Sequence, residues 1–71
     1  MKLSDLLKVI GDTEVVRISL KTPYKHFIAG DTVEKLRKNF DVNLFFDYTI
    51  DSVYTVQFIQ GVVLFILLES E

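Results

Sequence analysis

The sequence predicts an α+β fold in which two short helices pack on a five-stranded antiparallel sheet, in the order α-β-β-α-β-β-β. Two stretches place apolar residues at helical spacing, five others have the alternating or continuous apolar pattern of strands, and turn-forming residues separate them. The sheet is expected to combine a two-stranded hairpin with a three-stranded C-terminal meander. Because 71 residues are enough for one core only, residues 1–71 are predicted to form a single domain.

The first helix is predicted over about residues 3–10. Its apolar positions recur at i, i+3, i+4 and i+7, as Leu3, Leu6, Leu7 and Ile10. Asp5 favours the positive N-terminal end of this helix, and Gly11 supplies a left-handed stop.

A hairpin is predicted next. Residues 14–20 alternate between two faces, as a half-buried strand does. Thr22-Pro23 interrupts this strand, because proline has no backbone N–H and forces the residue before it into an extended conformation. A second strand is expected over residues 24–29, and Gly30 ends it.

The second helix is predicted over about residues 32–39. Asp31 and Glu34 have the spacing of a capping box, with Asp31 as the cap. Its apolar positions are Val33, Leu36 and Phe40. Asn39 is expected to provide the left-handed stop at its C-terminal end.

Three strands are predicted in the rest of the chain, over residues 42–50, 53–59 and 62–68. Asp51-Ser52 and Gln60-Gly61 are the expected turns, and Gly61 readily adopts the positive φ that tight hairpin turns require. Residues 62–68 are apolar at every position, which predicts a central strand that is buried on both faces.

More apolar side chains are present than one small core needs. The predicted inward set is Leu3, Leu6, Leu7, Ile10, Val16, Ile18, Leu20, Val33, Leu36, Leu44, Phe46, Tyr48, Tyr54, Val56 and Phe58. The apolar side chains left on the opposite sheet face are Val15, Phe27, Phe45, Val63, Phe65 and Leu67. Either the sheet closes into a small barrel or another chain covers this face, and we favour the second arrangement. The predicted interface of a homo-oligomer is Phe27, Val63, Phe65 and Leu67.

The charges are unevenly distributed along the chain. Residues 1–38 hold all eight basic residues and five acidic ones, whereas residues 39–71 hold five acidic residues and no basic one. In and beside the predicted 42–50 strand, the acidic residues and one aromatic residue occupy odd-numbered positions, which point to the same face of a strand. This candidate partner-binding face consists of Asp41, Phe45, Asp47 and Asp51. The alternative is that these residues form the solvated side of a half-buried strand.

Nucleic-acid binding is the second functional class that the sequence suggests. The basic helix 32–39 and the hairpin 21–26 offer cations that can contact phosphates. The candidate residues are Lys21, Lys25, Lys35, Arg37 and Lys38. A net charge of −2 and an isoelectric point near 5.2 argue against this class, because nucleic-acid-binding domains are usually strongly basic.

No catalytic residue, metal site or cofactor is predicted. The chain has no cysteine, His26 is its only histidine, and its three glycines form no phosphate-binding loop. The 17 uncharged residues from Ser52 to Leu68 are interrupted by polar residues and Gly61, so no membrane span is expected. The lack of cysteine and of a visible signal peptide favours a cytoplasmic protein.

The amino-acid sequences of four segments resemble those of short accessory proteins of bacteriophages and prophages of Gram-positive bacteria. The segments are MKLSDLLKVI at 1–10, TEVVRISL at 13–20, AGDTVEKL at 29–36 and VQFIQGVVLFILL at 56–68. The resemblance implies a protein of the anti-CRISPR or other anti-defence type, which binds and inhibits or modulates a host protein. The small net charge of −2 departs from the strongly acidic proteins that mimic DNA. We therefore expect a non-enzymatic, oligomeric interaction protein.

Overall fold

The computed structural model describes residues 1–23 and 26–69, which form three helices and four strands. In chain order these elements are α1 (Leu3–Val9), β1 (Val15–Lys21), β2 (His26–Thr32), α2 (Val33–Arg37), α3 (Phe40–Asn43), β3 (Ile50–Phe58) and β4 (Gly61–Glu69). The predicted α+β class is confirmed, and so is the first helix. Residues Tyr24 and Lys25, which were predicted to begin the second strand, lie outside the described residues.

The four strands form one mixed sheet in the order β2-β1-β4-β3. β1 with β2, and β3 with β4, are antiparallel hairpins. The two hairpins join through parallel pairing of β1 with β4, which runs from Val15 opposite Val63 to Lys21 opposite Glu69. The prediction of a purely antiparallel five-stranded sheet is therefore wrong. The predicted central position of the apolar C-terminal strand is correct, but its second neighbour is β1, and no three-stranded meander forms.

Residues 42–50 do not form the predicted strand, although their apolar residues alternate. The Asn39 side chain accepts hydrogen bonds from the backbone N–H groups of Asp41, at 2.8 Å, and Val42, at 3.3 Å. This cap starts α3, because it satisfies two N–H groups that a helix leaves without an internal partner. Asn39 therefore begins a helix here and does not end one.

The chain between α3 and β3 pairs its backbone with the start of α1. The carbonyl groups of Phe46 and Tyr48 accept hydrogen bonds from the N–H groups of Ser4, at 3.1 Å, and Leu3, at 3.0 Å. These contacts satisfy backbone groups that a strand would have presented to a neighbouring strand. Phe45 packs edge-to-face on Tyr48, with ring centroids 4.9 Å apart, so it is not on the sheet face predicted for it.

The helices pack on one face of the sheet and enclose a core that is entirely apolar within the described residues. Its buried side chains are Leu3, Leu7, Val16, Ile18, Val33, Leu36, Val42, Ile66 and Leu68. Leu44, which was predicted to be buried, is 62% exposed because it follows α3 on the outside of the molecule.

β3 points its larger side chains away from the helices. Tyr54 pairs with Phe65 and Val56 with Val63, and these partners lie on the sheet face opposite the buried Ile66 and Leu68. Tyr54, Val56 and Phe58 share that face because side chains two residues apart point the same way. Their predicted inward orientation is wrong. β4 is consequently buried on the helix side only, and not on both faces.

The second helix is shorter than predicted. β2 extends through Asp31 to Thr32, and Thr32 is the N-cap residue of α2. The Thr32 side chain makes no capping hydrogen bond. Asp31 instead accepts a hydrogen bond at 2.7 Å from the backbone N–H of Thr32. The predicted capping box therefore does not form, because Asp31 is still part of the strand.

Arg37 connects α2 to the C-terminal end of α1. Its Nε donates to the carbonyl oxygen of Leu7 at 2.9 Å and its Nη2 to that of Ile10 at 3.1 Å. Its Nη1 pairs with the carboxylate of Asp12. A guanidinium suits this position, because the last carbonyl groups of a helix lack internal partners and carry partial negative charge.

The β3–β4 hairpin depends on Gly61, which has a φ of +140°. Only glycine adopts this backbone conformation without strain. A Cβ atom at this position would meet no other atom within 4 Å, so the requirement for glycine comes from the backbone alone.

We expect Arg37→Met to lower the free energy of unfolding by about 2–3 kcal/mol, because the carbonyl groups that Arg37 satisfies at the end of α1 lose their partners. Urea unfolding followed by circular dichroism measures this change. Lys38→Met is the matched control, since the Lys38 side chain is 79% exposed and its ammonium lies 4.0 Å from Glu34. It should change stability by less than about 0.5 kcal/mol. Equal effects of the two substitutions would contradict this role of Arg37.

We expect Gly61→Ala to destabilise the protein by about 1–2 kcal/mol through backbone strain in the hairpin. Gly11→Ala is the control, because Gly11 does not adopt the left-handed conformation expected for it from the sequence, and a Cβ there would lie 3.9 Å from the Glu14 side chain, an ordinary contact. Thermal unfolding of both variants gives the comparison. A Gly61→Ala variant as stable as the parent chain would show that the hairpin tolerates an L-residue there.

Candidate binding surface

The sheet face opposite the helices is not covered by any described element, and we call it the open face. Strand register places its side chains, since residues paired across neighbouring strands point to the same side. The apolar ones are Val15, Phe27, Tyr54, Val56, Phe58, Val63, Phe65 and Leu67, and the polar ones include Arg17, Ser19 and Ser52. Exposure is 41% for Val15, 49% for Phe27, 43% for Tyr54 and 44% for Phe58.

Three aromatic rings of the open face are stacked on one another. The Tyr54 and Phe65 rings have centroids 5.2 Å apart and planes inclined by 13°. The Phe58 ring lies 6.5 Å from that of Phe65, at 25°. The stacking follows from the β3–β4 register, which places Tyr54 directly opposite Phe65. The contacts place Phe65 between the rings of two β3 residues, within a continuous aromatic surface on the open face.

Arg17 is the only charged residue near the middle of the open face, among the residues described there. Its guanidinium carbon lies 4.6 Å from the centroid of the Phe27 ring and 5.9 Å from that of Phe65. Both distances are within the range of cation–π attraction. The cross-strand partners of Arg17 are Gly30 and Phe65, and neither is acidic.

Gly30 allows Arg17 and Phe27 to pack closely. A Cβ atom at Gly30 would lie 3.1 Å from Cγ of Arg17 and 3.4 Å from Cζ of Phe27. The 3.1 Å distance is tighter than ordinary van der Waals contact, so a larger residue here would require the Arg17 stem to shift, whereas 3.4 Å is the lower limit of ordinary contact with the Phe27 ring. The glycine therefore keeps the arginine stem and the phenylalanine ring against the strand backbone.

Two shallow grooves cross the open face, and Arg17 lines both. One, of about 290 Å³, is also lined by Ser19, Phe27, Tyr54 and Phe65. The other, of about 260 Å³, runs past Val15, Gly30, Phe58 and Val63. The arrangement presents apolar side chains on both sides of one guanidinium group.

The structure brings all four residues of the predicted oligomer interface onto the open face. These residues are Phe27, Val63, Phe65 and Leu67. Their participation in an oligomer remains a prediction.

The acidic candidate residues lie in three different parts of the fold. Asp41 is in α3, Asp47 lies between α3 and β3, and Asp51 is in β3. Asp47 is 3.9 Å from the ammonium of Lys2, and Asp51 forms an ion pair with Lys21 at 3.1 Å. They do not share a strand face with Phe45, because the strand that would have aligned them is absent. Their role in partner binding remains a prediction.

The basic candidate residues are mostly engaged with other groups. Lys35 lies 4.0 Å from Asp31 and Lys38 lies 4.0 Å from Glu34, in exposed pairs on α2. Arg37 is bound to the end of α1, and Lys21 pairs with Asp51. Lys25 lies outside the described residues. Each described basic candidate therefore has an acidic or carbonyl neighbour, and a role of these residues in nucleic-acid binding remains a prediction.

Sequence reasoning did not identify Arg17, Tyr54, Val56 or Phe58 as surface residues. The signal was present in part, because alternation places Arg17 with Val15 on one face and Tyr54 with Phe58 on another. Alternation does not reveal which face of each strand the helices cover.

No family model, curated protein or solved structure matches this chain, so its function has to be inferred from its own side chains. The described residues include no helix with the length and apolar composition needed to cross a membrane. They also contain no group of three or more histidine or acidic side chains arranged to hold a metal ion.

We expect a single-stranded oligonucleotide to bind more weakly than about 100 µM, because Arg37 is engaged within the fold and the net charge of −2 disfavours contact with phosphates. Fluorescence anisotropy at two salt concentrations measures this binding. Tight binding that weakens steeply with salt, and that Lys35→Gln or Lys38→Gln reduces, would establish the nucleic-acid alternative instead.

Proposed function

We propose that this protein is a non-enzymatic binding module whose open face packs on the surface of another protein. The observation that supports the proposal is the orientation of β3. This strand directs Tyr54, Val56 and Phe58 to the open face, while Thr55 and Gln57 are on the side of the helices. A strand that served only this chain's core would direct its apolar side chains toward the helices.

The dimensions of the open face suit a protein partner. Four strands spaced about 4.8 Å apart, with seven residues rising about 3.3 Å each, give roughly 440 Å² in projection. The largest contiguous apolar patch on a small monomer is typically about 300–600 Å² and is often functional, so the open face is large enough to hold such a patch beside its polar residues. A standard interface takes roughly 800 Å² of accessible surface from each partner, so an interface of that size would extend over the whole open face and its margins.

The composition of the open face also favours protein binding. Aromatic residues and arginine are enriched at the centres of protein interfaces, where they contribute most of the binding energy. Phe65 and Arg17 occupy that central position here. The proposal assigns no catalytic role to this face, because no described histidine is paired with Ser19 or Ser52 across the strands.

The resemblance to phage accessory proteins suggests the kind of partner. Such proteins bind a host protein and inhibit or modulate it, and the same role is proposed for this chain. The absence of cysteine agrees with action in the reducing cytoplasm of a host cell.

Capture from a host-cell lysate by the immobilised full chain tests the proposal. We expect the double variant Phe27→Ser/Phe58→Ser to retain at least about 30-fold less of a specifically bound protein, because each aromatic anchor contributes 1–2 kcal/mol or more. The control is Phe40→Ser, which replaces a 74% exposed phenylalanine on α3, away from the sheet. Circular dichroism checks that all variants are folded.

The result that supports the proposal is a protein retained by the parent chain and by Phe40→Ser but lost from the double variant. Identical retention by all three would reject the open face as the binding surface. Loss of the captured protein with Phe40→Ser alone would show that the binding surface is at α3, near Asp41, one of the acidic candidates.

A further inference from the structure

We infer that the protein partner of the open face carries a carboxylate that binds Arg17, within an otherwise apolar contact surface. This inference rests on the proposed function, because it describes the chemistry of the partner at the same face. Arg17 then recognises an acidic side chain of the partner, and the surrounding rings contact its apolar groups.

Arg17 has no hydrogen bond or ion pair with any other residue in the described part of the chain, although its guanidinium lies within cation–π distance of two rings. A cation–π contact leaves the hydrogen-bond donors of a guanidinium group without a protein acceptor. The N–H donors lie in its plane and point outward at the edge, so they remain available to a ligand. In the free protein, water satisfies these donors, since Arg17 is exposed.

Covering the open face with a purely apolar surface would remove this water. A charged group that is buried without a partner costs several kcal/mol, which would offset much of the gain from burying the neighbouring rings. The occupant must therefore supply an acceptor opposite Arg17. A carboxylate fits best among protein groups, because it binds a guanidinium through two parallel hydrogen bonds.

The stem of Arg17 is already positioned for this contact. Gly30 leaves space for its Cγ atom, and the Phe27 ring lies 4.6 Å from its guanidinium carbon. A side chain that is held before binding loses less conformational entropy in the complex. The two grooves that meet at Arg17 have room for apolar groups on both sides of the incoming carboxylate.

Charge complementarity disfavours a second copy of this chain as the occupant, so the inference replaces the homo-oligomer expected from the sequence with a heterologous partner. The acidic residues nearest to the open face lie at its end, where Asp51 is 3.1 Å from Lys21 and Glu69 is opposite Lys21 in the β1–β4 register. Two open faces packed symmetrically about their centres would bring two Arg17 side chains together without an acid between them. A heterologous acidic partner removes this repulsion.

Three synthetic peptides, identical except for a central Glu, Gln or Lys between leucine and valine residues, test the inference on the full-length ¹⁵N-labelled protein. We expect the Glu peptide to shift the amide resonances of the open-face strands and to bind about tenfold more tightly than the Gln peptide. The Lys peptide should bind most weakly. Arg17→Met should abolish the preference for Glu, and Arg17→Lys should keep part of it, since a lysine offers charge without the planar fork.

Lys21→Met is the matched control, because it removes a cation at the end of the same strand, and it should leave the preference for Glu unchanged. Equal affinity of the Glu and Gln peptides would overturn the carboxylate inference while leaving protein binding by the open face intact. No shift of the open face with any peptide would also overturn it. Combined with unchanged lysate capture by the Phe27→Ser/Phe58→Ser variant, that result would reject the proposed function as well.

Sedimentation equilibrium of the parent chain and of Arg17→Met tests the competing occupant. The inference expects monomers of 8.2 kDa for the parent chain. A parent chain that dimerises, and dimerises more tightly when Arg17 is replaced by methionine, would identify a second copy as the occupant and overturn the inference. Oligonucleotide binding that shifts the open face and depends on Arg17 would overturn it in favour of a phosphate ligand.

Discussion

The main structural constraint on this protein is that its helices are too short to cover both faces of its sheet. The helices contain seven, five and four residues, and all of them pack on the face that holds Val16, Ile18, Ile66 and Leu68. The parallel pairing of β1 with β4 places both strands at the centre of the sheet. Their opposite face, with Phe65 and Arg17 at its middle, is therefore left to solvent or to a partner. The proposed function follows from this one-sided packing.

Two arginine residues show how differently the fold uses the same side chain. The guanidinium of Arg37 is bonded to carbonyl groups at the end of α1 and to Asp12, so it contributes to the stability of the helical layer. The guanidinium of Arg17 lies near the Phe27 and Phe65 rings and has no hydrogen bond or ion pair among the described residues. Its hydrogen-bonding capacity is left for a ligand. The sequence suggested a role in nucleic-acid binding for Arg37 and no role for Arg17. Local sequence could not reveal either outcome, because it does not show which distant residues contact a side chain in the fold.

The open face combines features that separately have ordinary explanations. Exposed aromatic residues alone occur on many monomers, and a surface arginine alone is unremarkable chemistry. Here the aromatic stack, the arginine and the glycine that lets them pack closely lie on adjacent strands. The stack provides area for apolar contact, while the arginine makes that contact selective, because a partner without an acceptor has to bury an unpaired charge.

Local sequence patterns by themselves determined the first helix, the strands β1 and β4, and the glycine turn between β3 and β4. In each of these segments the apolar spacing or the backbone preference is strong enough to specify the structure. The alternation of residues within β3 also showed which of its side chains share a face. Tertiary structure alone decided which face of each strand the helices cover, and it replaced the strand predicted at 42–50 with α3 and turns. The physical reason is that the two faces of a strand are equivalent until something packs on one of them. In the same way, the Asn39 cap and the N–H groups of α1 outweigh a strand-like alternation only once the chain is folded.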